Sequence, residues 1–74
     1  MNTSSVPAWR RLDTCWVDGE PFVLETQTVT GGYRVRIQFD GKTPIEDPQV
    51  WPSVDEARGR ALQLADDVVE QGLR

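Results

Sequence analysis

The stretch from Gly31-Gly32 through Tyr33, Arg34, Val35, Arg36, Ile37, Gln38 and Phe39 to Asp40-Gly41 constrains the fold most. Its apolar residues fall at 33, 35, 37 and 39 and its polar ones at 34, 36 and 38. Alternation with a period of two matches the β-strand repeat, so one face of this segment is buried and the other solvated. A glycine pair before it and Asp-Gly after it bracket the strand with turn-forming residues.

The same reading extends upstream. Residues 20–30, EPFVLETQTVT, are rich in residues that suit a pleated surface and predict a second strand. Pro21 lacks an N–H, which puts the start of that strand at an edge or in a turn. A two-residue loop at Gly31-Gly32 then predicts Thr30 opposite Tyr33, Thr28 opposite Val35, Thr26 opposite Ile37 and Leu24 opposite Phe39. Residues 9–17, WRRLDTCWV, predict a first strand ending at the turn dipeptide Asp18-Gly19, with Trp9 and Trp16 at least partly buried. A two-residue loop there places Asp13 opposite Leu24 on the inner face, a conflict that a longer loop, a short irregular first strand or, the favoured reading, a bulge would relieve. Residues 1–8 predict a flexible tail, and 9–74 a single domain.

Residues 40–52 carry three prolines and predict a loop, with a short edge segment at Gln49-Val50-Trp51 as an option. Beyond it, Ser53-Val54-Asp55-Glu56 has the spacing of a capping box. At about 100° per residue, Val54, Ala57, Ala61, Leu64, Ala65 and Val68 gather on one side of a helix over 54–71, with Leu62 and Val69 flanking. Glu56, Asp67, Glu70 and Arg74 fall opposite. Gly72 suits the left-handed C′ position, with Leu73 as its hydrophobic companion. The expected fold class is therefore α+β: an antiparallel meander of three strands, or four with the edge segment, with one C-terminal helix packed on one face. The expected core is Phe22, Leu24, Tyr33, Val35, Ile37 and Phe39 from the sheet, with Leu64 and Val68 from the helix.

Several functions are disfavoured by what the chain lacks. It has no histidine, so histidine-based zinc sites, Ser-His or Cys-His nucleophiles and imidazole acid–base work are absent. Cys15 is the only cysteine, which rules out an internal disulfide and suits a small half-buried hydrophobe. No phosphate-loop, dinucleotide or nucleophile-elbow motif occurs, nor the acidic spacing of a calcium loop. The expectation is a non-enzyme without cofactor or metal. The apolar runs are too short to cross a membrane, and the N-terminus lacks a signal pattern, so a cytoplasmic location is expected.

The formal net charge of -4 is unevenly placed. Residues 1–44 balance five basic against five acidic groups, whereas 45–74 hold three basic and seven acidic. Three candidate partner-binding features follow. Arg34 and Arg36 project from one strand face, with Lys42 beyond the turn, and could meet phosphates. Trp51 stands between prolines and could anchor a protein partner, or close the end of the core. Asp66, Asp67 and Glu70 make an acidic helix face. Adjacent carboxylates diverge on a helix, so Asp66 and Asp67 are poor as a catalytic pair.

The order Gly32-Tyr33-Arg34-Val35-Arg36-Ile37, then a loop, then Pro52-Ser53-Val54-Asp55-Glu56-Ala57-Arg58-Gly59-Arg60-Ala61 resembles two groups of small bacterial proteins. One is a set of uncharacterised proteobacterial three-strand-plus-helix proteins. The other is the partial RNase-H-like domain of HicB-type antitoxins, which bind a small RNase toxin. The likeness spans residues 20–70 and implies the same β-β-β-α order. It carries over no catalytic residue: the antitoxin-type Asp-x-Pro-Gly segment is replaced by Phe39-Asp40-Gly41-Lys42. The double-stranded-RNA-binding fold shares this element order too, but Asp55-Glu56 stands where its helix opens with lysines.

The leading expectation is a non-enzymatic protein-binding module whose partner is another protein or a second copy of itself. An acidic, antitoxin-like inhibitor of a nucleic-acid-handling protein, with phage-type inhibitors included, is the alternative. Nucleic-acid binding through Arg34 and Arg36 ranks third, because an acidic chain lacks the usual electrostatic footprint.

Overall fold

The computed structural model describes residues 8–72. The tail expected over residues 1–8 lies outside the described residues except for Ala8, as do Leu73 and Arg74. Four strands, β1 (Arg10–Val17), β2 (Glu20–Val29), β3 (Gly32–Phe39) and β4 (Ile45–Glu46), precede one helix, α1 (Val54–Glu70). The strands pair antiparallel in the order β1-β2-β3-β4, and α1 packs on one side, chiefly over β3 and β2. The protein is thus an α+β meander with its helix on one face of an open sheet.

The β2–β3 register differs from the expected one by two residues. Phe22 faces Phe39, Leu24 faces Ile37, Thr26 faces Val35 and Thr28 faces Tyr33. The loop is Thr30-Gly31, and Gly32 belongs to β3, opposite Val29. Because side chains alternate with a period of two, this slip leaves every residue on its expected face. The two glycines have separate tasks. Gly31 turns the chain at a φ of 90°. Gly32 lets the chain at Trp51 lie against β3, and a Cβ there would run into the Trp51 carbonyl oxygen.

That approach closes the outer edge of β3. Ile45 and Glu46 pair with Ile37 and Arg36, and Trp51 and Tyr33 exchange backbone hydrogen bonds of 2.7 and 2.8 Å. The edge segment expected at 49–51 is thereby reduced to Trp51, and the regular fourth strand lies upstream at 45–46. Prolines 44 and 48 flank that strand and keep it short.

At the other end of the sheet, Asp18 and Gly19 both have positive φ, 51° and 78°, and close a two-residue loop between Val17 and Glu20. Asp13 does fall opposite Leu24. The bulge occurs just before it, between Arg11 and Asp13, and leaves Leu12 as the extra residue. The bulge therefore does not lift Asp13 off the inner face. An ion pair accommodates it instead: Arg58 of the helix donates to Asp13 Oδ2 at 2.9 Å.

Between sheet and helix, Phe22, Leu24, Val35, Ile37 and Phe39 meet Ala57, Ala61, Ala65 and Val69. Each large side chain buried here contributes roughly 1.5–3 kcal/mol before entropy. Val69, expected on the flank, is a core residue because it continues the four-residue row 57, 61, 65. Tyr33, Leu64 and Val68 are half buried around that core, and Leu62 faces out. The alanines let the helix backbone come close to the sheet. Ser53 caps the helix by accepting the Glu56 N–H at 3.2 Å. Gly72 follows it at a φ of 80°, in the conformation expected of C′.

Candidate interaction face

The helix covers one face of the sheet, and the opposite face carries the polar residues of the alternating pattern. Across that outer face Arg11, Glu25, Arg36 and Glu46 are successive cross-strand neighbours from β1 to β4. Their charges alternate in sign. Arg36 Nε donates to Glu25 Oε1, 2.6 Å away, and Arg34 reaches diagonally to Glu46 at 2.8 Å. The Trp9 ring lies over both guanidiniums, 4.5 Å from Arg36 and 5.7 Å from Arg34. The two strand arginines are therefore neutralised and stacked within the face. Such cation–π contacts add to the ion pairs without exposing free charge.

The next row is different. Thr14, Val23 and Gln38 are neighbours across β1, β2 and β3, and they floor a shallow open groove. Gln38 is fixed by donating to the Lys42 carbonyl at 3.0 Å. Arg11 borders the groove on the β1 side, and Asp40 and Gly41 border it where β3 ends. Neither Arg11 nor Asp40 forms an ion pair with another described residue. Pro21, Phe22 and Phe39 complete the lining, and Trp16, the cross-strand neighbour of Pro21, is 65% exposed. The expected burial of Trp16 is thus corrected. Its position in β1 turns it to the face the helix leaves bare.

Asp13 also shapes the free edge of β1. Its Oδ1 accepts the Thr14 N–H at 2.8 Å, while Arg58 holds Oδ2. These bonds, Arg58 first and the backbone second, hold its carboxyl below the ordinary aspartate range. The neighbouring Cys15 is half buried against the core, and desolvation raises its thiol pKa, with the charge of Asp13 adding to the effect.

The remaining candidates lie elsewhere. Trp51 is half buried at the end of the core, and its indole N–H donates to Asp47 Oδ2 at 2.9 Å. Asp47, only 4% exposed, also accepts from Arg60 Nε at 3.3 Å and donates its backbone N–H to the Val35 carbonyl. Asp66, Asp67 and Glu70 lie near the end of α1, where the last turn contains no basic residue. Asp66 and Glu70 are exposed and Asp67 is half buried. The sequence candidates are therefore split among three places: Arg34 and Arg36 on the outer face, Trp51 at the core's end, and the acids on the helix.

Sequence reasoning missed the groove. Arg11 and Asp40 are far apart in the chain, and only the β1–β2–β3 register brings them to one patch. The signal available was the alternation of Thr14 and Trp16 with Asp13 and Cys15, blurred by the bulge. No helix is long and apolar enough to cross a membrane among the described residues. Among the same residues no group of three or more His, Cys, Asp or Glu gathers to hold a metal.

Comparison with protein-family models, with curated proteins and with solved structures finds no match to this chain.

Proposed function

We propose that this chain is a non-enzymatic, cytoplasmic protein-binding module whose contact surface is the outer face of the sheet around Trp16. The carrying observation is the exposure of that tryptophan beside an open groove, on the face opposite the helix. Large aromatic side chains dominate the energetics of protein interfaces, and leaving one in water has a cost unless a partner covers it. The absence of histidine and of recognisable catalytic motifs supports a binding role over a chemical one.

Capture from a host lysate with the tagged chain, comparing wild type with Trp16→Ser, tests the proposal. The partner should be lost with Trp16→Ser while the circular dichroism spectrum is unchanged. Retention by Trp16→Ser, with loss on reversing charge at Asp66, Asp67 and Glu70, would move the function to the helix. That second reading, an acidic antitoxin-like inhibitor, is favoured by one observation. Acidic groups at a helix C-terminus oppose the macrodipole and reduce stability, a cost that a basic partner would offset. Nucleic-acid binding has less support, because Arg34 and Arg36 are already paired with Glu46 and Glu25.

A further inference from the structure

We infer that the partner of the outer face is a second copy of this chain, joined face to face across a two-fold axis near Val23. This deepens the protein-binding reading and rests on it. A sheet with a free strand would more simply associate edge to edge, but β1 is protected against that. The bulge at Leu12 interrupts the strand, the Thr14 N–H is already taken by Asp13, and Arg58 anchors Asp13 from the helix. Bulges and inward-pointing charges are the usual means of blocking edge pairing. Association therefore falls to the face.

That face is self-complementary. The groove has a cation, Arg11, on its β1 side and an anion, Asp40, at the end of β3, each without an ion-pair partner among the described residues, and Val23 is on the floor between them. A two-fold axis through the middle brings Arg11 of each copy to Asp40 of the other, and it makes that contact twice. The same operation brings the two Trp16 rings together over the groove margin, removing both from water. The strand charges beside the groove do not oppose this approach, since Arg36 with Glu25 and Arg34 with Glu46 are neutralised within each copy.

Sedimentation equilibrium on the full chain, with Arg11→Asp and Asp40→Arg, tests the inference. Wild type should dimerise reversibly, and each variant alone should dimerise about tenfold or more weakly. An equimolar mixture should restore dimers, because one variant then offers two acids and the other two arginines at the paired positions. Trp16→Ser should weaken dimerisation in every background, which keeps the test independent of any effect at the bulge. A wild type that stays monomeric, or dimers indifferent to both charge reversals, would overturn the inference. So would dimers that strengthen with Asp13→Ala, the result expected of edge pairing. If the wild type is monomeric yet loses its captured protein with Trp16→Ser, the second-copy claim fails and the protein-binding reading survives. If capture is also indifferent to Trp16, both fail.

Discussion

Replacing Asp47 by alanine offers a quantitative test of how the loop, the helix and β3 are joined. Asp47 is 4% exposed and its carboxylate accepts from Trp51 Nε1 and Arg60 Nε, so two elements lose their common acceptor at once. Arg60 is partly exposed and can turn to water, so its loss is small. The half-buried indole N–H of Trp51 is less free to do so. Leaving it unsatisfied costs about 1–3 kcal/mol, and the whole substitution about 2–3 kcal/mol. For a domain of this size that is a fall in Tm of roughly 8–24 °C. Asp47→Asn keeps an acceptor for the indole and should cost only about 1 kcal/mol. Urea unfolding followed by far-ultraviolet circular dichroism measures both, and a double-mutant cycle with Trp51→Phe isolates the indole bond. In the phenylalanine background Asp47→Ala should cost about 1 kcal/mol less than in wild type. Equal costs in both backgrounds, or an alanine variant within about 0.5 kcal/mol of wild type, would refute the reasoning.

The two glycines of the β2–β3 loop should separate in the same assay. Gly32→Ala forces the Trp51 backbone away from β3 and should cost about 2–4 kcal/mol, whereas Gly31→Ala meets open space and should cost about 1–2 kcal/mol from positive φ alone. The reverse order would contradict the close approach at Trp51. Glu70→Lys should stabilise the helix by about 0.3–1 kcal/mol at low salt, by complementing the C-terminal dipole, and the gain should fade in high salt. The pH dependence at Asp13 has a definite sign. Its folded pKa is depressed, so its contribution is complete above the ordinary aspartate value of about 4 and is lost as pH falls through the lower folded value. Carbon-detected titration of the carboxyl should show the depression in wild type, and Arg58→Gln should largely remove it.

The element order was legible because each signal is local. Alternation at 33–39, the Ser53–Glu56 cap and the alanine row of α1 each fit within a few residues, and the structure follows them. What sequence could not supply came from contacts between distant segments. Gly32 looked like a turn residue because glycine serves turns and close approaches alike, and only the return of the chain at Trp51 distinguishes the two. Asp13 looked misplaced on an inner face because its partner, Arg58, lies on the helix. The groove was hidden for the same reason. Its charged ends come from different strands, and its exposed tryptophan reads in sequence like any core aromatic.

The most direct test is an NMR dilution series on the uniformly labelled chain. The account predicts concentration-dependent shifts of the Trp16 indole and of the Arg11, Val23 and Asp40 amides, with Asp66, Asp67 and Glu70 unmoved. Shifts confined to the helix residues, or none across the whole concentration range, would contradict it.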